Sequence, residues 1–243
     1  MIDLPRGLIS ALCGSARTAL LTGSGISAES GVPTFREAQT GLWERFDPKD
    51  LATPEAFTRD PALVWDWYAW RRKLVAGARP NPGHLAIAEM QRLVPNFTLL
   101  TQNVDGLHQE AGSREVIELH GNIRRTKCSV EDTTVEGYDE GESPPYCPSC
   151  GAPLRPDVVW FGEMLPPEGL DAASTAARGA DVFLSVGTSS LVYPAAGLPF
   201  EALENGATVV EINSSETPLT RHADYALRGP AGEVLPLLIR ELS

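Results

Sequence analysis

An α/β fold, a parallel sheet with helices on both faces plus a smaller inserted lobe, is what the sequence predicts, and three observations carry it. Short apolar strands alternate with helical segments along most of the chain. Two stretches break that alternation, Arg36–Pro80 and Lys127–Pro156. Finally, 243 residues suit one large domain, or one domain carrying a small lobe.

The elements follow in order from period and punctuation. Leu4–Cys13 reads as a helix and Thr18–Thr22 (TALLT) as a buried strand running into glycine-rich sequence. Pro82–Val94 reads as a helix, Phe97–Thr101 (FTLLT) as a strand, and Glu115–Leu119 (EVIEL) alternates like another strand. Strand Asp181–Val186, helix Ala195–Asn205, strand Ala207–Ile212, a short strand at Tyr225–Leu227 and helix Gly232–Leu242 complete the series. Arg36–Pro80 holds every Trp except Trp160 and reads as a helical module. Lys127–Pro156 is rich in Pro, Gly and acid and contains clustered Cys. The sheet domain is therefore expected from residues 1–36, 81–126 and 157–243, and the small lobe from 37–80 and 127–156.

Composition excludes several functions. With 20 Lys+Arg against 32 Asp+Glu, the formal charge is −12, which argues against broad binding of a nucleic-acid backbone. No apolar run approaches ~18 residues, so no membrane span is expected. The first residues lack the basic and apolar regions of a secretion signal, and a cytoplasmic protein is expected. Cys128, Cys147 and Cys150 cluster as metal ligands do; a Cys147–Cys150 disulfide suits a reducing compartment less. Cys13 is expected to be buried and apolar.

Ligands of parallel sheets sit beyond the carboxyl ends of the strands. Gly23-Ser24-Gly25-Ile26-Ser27-Ala28 follows the first strand and fits G-x-G-x-x-A, the turn that brings backbone N–H groups to a pyrophosphate. The helix it should open stops early at Gly31-Val32-Pro33, and no second strand follows soon. A standard hydride-transfer fold is thus disfavoured. Thr101-Gln102-Asn103-Val104-Asp105-Gly106 ends the FTLLT strand, either as a ligand-facing tip or as an Asx turn. His120 ends the EVIEL strand, where imidazole suits a general base near neutral pH. Gly187-Thr188-Ser189 and Asn213-Ser214-Ser215 repeat the arrangement, so one long polar ligand along the sheet edge is expected. His84, His108 and His222 show no comparable partners and are expected to be structural.

GSGISAESGVPTFR (Gly23–Arg36), TQNVDGLH (Thr101–His108), ELHG (Glu118–Gly121), the Cys cluster, VVWFGE (Val158–Glu163), VGTSSLVYPA (Val186–Ala195) and EIN (Glu211–Asn213) occur in one order. Over essentially its whole length the chain resembles the sirtuins, NAD-dependent protein-lysine deacylases with a Rossmann-like sheet. The resemblance implies that NAD is the co-substrate, split into nicotinamide and O-acyl-ADP-ribose. It makes His120 the base for a ribose hydroxyl, with Asn103 positioning ribose and water and Asp105 holding the nicotinamide amide. Gly23, Ser24, Gly25, Ala28, Phe35 and Arg36 would line the phosphates and reactive ribose. Gln102, Gly187, Thr188, Ser189 and Asn213 would contact the nucleotide further along. Val159, Trp160, Phe161 and Gly162 would pair with an extended segment of another protein carrying acylated lysine; VVWF is otherwise ordinary core strand.

Two features bear on subtype. Tyr68 and Arg71 stand at i, i+3, on one helical face, and a guanidinium fork beside a phenol receives a carboxylate well. They resemble the Tyr-x-x-Arg signature of the class III sirtuins that remove succinyl and malonyl groups, with Ala52 leaving room for the longer chain. The family's zinc site usually has two Cys-x-x-Cys pairs. Here the first reads Cys128-Ser129-Val130-Glu131, so the expected zinc ligands are Cys128, Cys147, Cys150 and Glu131. Protein ADP-ribosyl transfer and non-catalytic NAD sensing are the alternatives; a mere sensor has no need of Asn103 together with His120.

Overall fold

A computed structural model of the chain describes residues 4–33, 47–139 and 141–242. The elements are α1 (Arg6–Gly14), β1 (Thr18–Thr22), α2 (Pro48–Leu51), α3 (Pro54–Arg59), α4 (Pro61–Gly77), α5 (Pro82–Leu93), β2 (Phe97–Thr101), α6 (Leu107–Glu110), β3 (Ile117–Glu118), β4 (Gly121–Cys128) and β5 (Leu154–Val158). They continue with α7 (Pro167–Gly179), β6 (Val182–Val186), α8 (Leu198–Glu204), β7 (Thr208–Asn213), β8 (Tyr225–Arg228) and α9 (Ala231–Leu242).

Six strands form one parallel sheet in the order β3-β2-β1-β6-β7-β8, the predicted Rossmann-like arrangement. Side chains alternate faces along each strand, so neighbours enter different cores. Leu20, Leu99, Leu184 and Val210 pack with Leu8, Ile87, Met90 and Val234 on the face covered by α1, α5 and α9. Leu21, Leu100, Phe183 and Val209 pack with Ala173, Ala177, Leu198 and Ala202 of α7 and α8 on the other. Each fully buried side chain of this kind is worth ~1.5–3 kcal/mol relative to exposure.

Helices α3, α4 and α5 share one starting device, a capping side chain followed by proline at the first helical position. Thr53 accepts from Ala56 N, Asp60 from Leu63 N, and Asn81 from Gly83 and His84 N. Among the described residues no helix is long and apolar enough to cross a membrane.

The structure departs from the sequence reading in several places. Helix α7 was not anticipated because its buried residues are only Ala173 and Ala177, too weak an apolar stripe to read as a face. The antiparallel pair β4–β5 was missed as well, and both strands run across the expected limits of the cysteine segment. Arg124 and Arg125 interrupt its apolar pattern, and the register shifts between Asn122 and Thr126. The helix expected at Ala195 begins with a 3₁₀ turn, Ala195–Gly197. Cys13 is exposed, not buried, because α1 turns Leu8 and Leu12 to the core instead.

Backbone packs on backbone where β1 and β6 end. Gly23 N donates to Val186 O at 3.0 Å and Gly25 N to Gly187 O at 2.8 Å. A Cβ on Gly25 would lie 2.7 Å from Gly187 O, and one on Gly187 would lie 2.5 Å from Ile26 N. Gly187 also holds φ +61, a conformation that costs a residue with a side chain energy. The glycines therefore serve first to let two loops interlock. Gly187→Ala should cost at least ~1–3 kcal/mol of strain. At about 2–4 °C per kcal/mol, differential scanning calorimetry should show a fall of several degrees in Tm; an unchanged Tm would show that the loops tolerate separation.

Candidate active site

The parallel register sets Thr22 level with Thr101 and Val186, and Val186 level with Ile212. Four loops therefore leave the sheet at one edge. They carry Gly23–Ala28, Gln102–Asp105, Gly187–Ser189 and Asn213. Phe35 and Arg36 lie outside the described residues.

At the centre of that edge is the Ser27 hydroxyl. It donates to Asp105 Oδ2 at 2.7 Å and accepts from Asn103 Nδ2 at 3.0 Å, while His84 Nε2 approaches at 3.4 Å. Ser27, His84, Asn103 and Asp105 are all buried. His84 Nδ1 accepts from Asn81 N at 3.4 Å, which leaves the proton on Nε2 to face Ser27. Asn81 Nδ2 donates to Ile26 O at 2.6 Å and to Ser30 Oγ at 3.0 Å, tying the glycine-rich loop to α5. Asp105 Oδ1 also accepts from Leu107 N, so its carboxylate is held from two sides.

The expectation that His84 and His108 lack partners is corrected here. Their rings lie 4.9 Å apart, and His108 Nε2 is 2.9 Å from Thr22 Oγ1. Burial pushes the His108 pKa down to about 3, helped by His84, and burial also lowers that of His84 despite Asp105. Both are neutral near pH 7. His222, by contrast, meets the Phe200 ring edge-on, away from these loops.

His120 is half-buried, with Nδ1 2.9 Å from Gln102 O. A carbonyl can only accept, so Nδ1 carries the proton and Nε2 presents its lone pair. Burial lowers the pKa of this imidazole, outweighing the hydrogen bond to Gln102. Gln102 Nε2 donates to Thr188 Oγ1 at 3.0 Å, and Asn213 Nδ2 to Thr188 O at 2.8 Å, so the remaining tips are linked across the sheet. Ser189 is half-buried, and Ser24 and Ala28 are exposed at the loop surface.

A second cluster adjoins this edge. Ala52, Tyr68 and Trp160 are buried in one core with Leu51, Phe57 and Trp67, and Val32 and Val104 of the loops pack against it. Arg71 lies one turn from Tyr68 on α4, with its guanidinium 5.1 Å from the Trp67 ring centroid. Its charge acts on the Tyr68 hydroxyl, whose pKa burial nonetheless pushes up to about 12. Strand β5 ends at Val158, and Val159–Gly162 continues outside any sheet. The N–H groups of Val159, Trp160 and Phe161 are spent on His120 O, the Glu163 carboxylate and Ala52 O. An added peptide strand therefore cannot take those three donors.

Cys128, Glu131, Cys147 and Cys150 present ligand atoms within 4.8 Å of one another. Cys128 Sγ and Cys150 Sγ are 3.4 Å apart, and Cys147 Sγ is 3.9 Å from a Glu131 oxygen. All of these cysteines are free thiols. Three sulfurs and a carboxylate at this spacing fit a tetrahedral metal ion.

A family model described as Sir2 family matches residues 23–194, the stretch holding almost every loop just described. The chain belongs to the Sir2 family. It is 51% identical over 244 residues to a NAD-dependent protein deacylase of Methylococcus capsulatus, covering 97% of this chain and 96% of that one. Another NAD-dependent protein deacylase, from Aquifex aeolicus, is 57% identical over 213 residues, covering 87% and 89%. A solved Sir2 homologue in complex with NAD superposes with a TM-score of 0.92 at 49% identity, covering 99% of this chain and 94% of that one. A Sir2 complex with a p53 peptide and NAD+ gives 0.86 at 30% identity, covering 98% of each. Within this Sir2 chain, Ser27, His84 and Glu163 are the site neighbours that sequence reasoning missed. Ser27 lay inside the quoted glycine motif, and His84 follows the Asn-Pro-Gly cap of α5.

Proposed function

We propose that this Sir2-family chain is an NAD-dependent protein-lysine deacylase of the class III kind, preferring succinyl and malonyl groups and tolerating acetyl. The observation that carries the chemistry is the His120 tautomer: Gln102 O holds Nδ1–H, so Nε2 is the basic nitrogen at the strand-tip edge. Burial keeps the imidazole neutral and able to take a proton. Support also comes from relatives named NAD-dependent protein deacylase and from Sir2 structures holding NAD and a peptide.

The fit to NAD rests on the buried set of hydrogen-bonding side chains around Ser27 and on the linked amides at Thr188. When bound, NAD supplies the ribose carbon that releases nicotinamide and receives the acyl oxygen. Asp105, fixed by Ser27 and Leu107 N, would accept from the nicotinamide amide. Asn103 would orient ribose and water, and His120 Nε2 would withdraw the proton of a ribose hydroxyl. Gly23, Ser24, Gly25, Ala28, Gln102, Gly187, Thr188, Ser189 and Asn213 would line the nucleotide. Acylated lysine in extended segments of other proteins is the proposed partner, lying against Val159–Gly162.

Acyl choice rests on Ala52, Tyr68 and Arg71. A terminal carboxylate must leave water, which is costly unless a cation and hydrogen-bond donors meet it. In a chain at −12 overall, that compensation has to be local. Zinc is the proposed structural metal, held by Cys128, Cys147, Cys150 and Glu131, the carboxylate being its hardest and weakest partner.

Four outcomes are expected. His120→Ala should lower acyl transfer by ~10²–10⁴-fold while NAD binding, read by calorimetry, persists. In the unmodified enzyme kcat/KM should rise with pH through a midpoint below the ordinary histidine value of 6.5, because burial lowers this pKa. Near-native turnover of the variant would eliminate the assignment. Arg71→Met should depress desuccinylation on the order of 30-fold or more while acetyl-lysine turnover holds or improves; an equal fall in both would make Arg71 structural. Glu131→Cys should raise Tm and zinc retention against a chelator. Metal analysis of protein purified without chelator under reducing conditions checks the site itself, and finding no zinc would reject it.

A further inference from the structure

The acyl-selecting pair does not stand alone, because Tyr68 is held by a neighbour outside its helix. Trp160 Nε1 lies 3.0 Å from Tyr68 Oη. An indole N–H can only donate, so the phenolic oxygen must accept there. A phenol has one proton, which lies in the ring plane on one side of the oxygen or the other. With the oxygen accepting from the indole, its own proton is left to be donated elsewhere. Among the described residues Trp160 is the hydroxyl's one hydrogen-bond partner, and the neighbouring Arg71 guanidinium offers only donors.

Trp160 itself is clamped. The Arg155 guanidinium lies 3.3 Å from its ring centroid, and the same group grips Glu163 through two bonds of 2.5 and 2.9 Å. Arg155 Nη2 also reaches Val158 O at 3.0 Å, and Glu163 accepts the Trp160 backbone N–H at 2.8 Å. The Phe57 ring lies against the indole as well, tilted 46° with centroids 5.2 Å apart. Turning the indole away would break a cation–π contact and disturb an ion pair whose arginine side chain is only 9% exposed.

We propose that Trp160 is a specificity-positioning residue: its indole N–H commits the Tyr68 oxygen as acceptor and so aims the hydroxyl proton, with Arg71, at an anionic acyl terminus. This rests on the acidic-acyl reading above and adds the residue that orients its hydroxyl. The clamped indole makes Tyr68 a donor before substrate arrives, so an acyl carboxylate meets a preset hydrogen bond.

The test compares kcat/KM for succinyl and acetyl versions of one peptide, so that general losses in peptide binding cancel in the ratio. Trp160 is replaced by benzothienylalanine, which keeps the ring shape and removes only the N–H; Trp160→Phe is the second variant. Tyr68→Phe should lower the succinyl-to-acetyl ratio roughly tenfold or more, the size of one hydrogen bond to a carboxylate, and each Trp160 variant should lower it in the same direction by at least about threefold. Combined with Tyr68→Phe, the Trp160 changes should lower the ratio no further. A full multiplication of the two factors, or a ratio untouched by loss of the N–H, would overturn the positioning role. If Arg71→Met and Tyr68→Phe also leave the ratio unmoved, the acidic-acyl reading fails first and this one with it. Hydrogen exchange of the Trp160 indole, followed by NMR, reads the bond without any substrate. It should speed up in Tyr68→Phe; an unchanged rate would refute the bond.

Discussion

Four parallel strands in register, with Thr22 level with Thr101 and Val186 and Val186 level with Ile212, one residue before β7 ends, impose the condition from which the rest of the molecule follows. Because β1 lies between β2 and β6, the loops leaving all three must share one narrow edge. They fit only where side chains are missing or hydrogen-bonded. That is why Gly23 and Gly25 rest against Gly187, and why Ser27 is satisfied by three side chains from two separate elements, the loop after β2 and helix α5. The crowding also buries Asp105 and His84 together, so each polar group has its place determined before any ligand binds.

The same crowding anchors the helical module. Helix α4 turns Tyr68 toward Trp160 and the loop core, while Trp65, one turn earlier, packs with Cys128, Cys147 and Leu154. Arg72 stacks over Trp65 at 4.8 Å and donates to Ile123 O and Thr126 Oγ1, and Ser143 Oγ donates to Asp66. One helix thus bridges the cysteine cluster and the Tyr68–Arg71 pair. Order in the β4–β5 hairpin and order in the proposed acyl pocket share that helix.

The sheet was legible because its strands are short apolar runs closed by Gly, Thr, Asn or His, and β1, β2 and β6 lie within a residue of expectation. The four tip loops were legible for the same reason, since a buried strand ending in polar residues leaves few readings. What escaped notice has equally physical causes. Helix α7 buries alanines, which carry little periodic signal. His84 and Ser27 are 57 residues apart and meet only through tertiary packing. Arg155 and Glu163 are paired only once the hairpin has turned the arginine inward over Trp160, a contact no local pattern announces. Val159–Phe161 looked like an open strand edge, but its N–H groups are already bonded within the chain.

The central claim is that this edge, with Tyr68 and Arg71 beside it, transfers acidic acyl groups from lysine to ADP-ribose. The most direct measurement incubates the unmodified protein with NAD and equal amounts of acetyl-, succinyl- and malonyl-lysine forms of one peptide, followed by mass spectrometry. The expected result is free lysine peptide, nicotinamide and O-acyl-ADP-ribose in equal amounts, with succinyl and malonyl peptides consumed ahead of acetyl. Peptide gaining ADP-ribose while keeping its acyl group, or acetyl peptide consumed first, would contradict it.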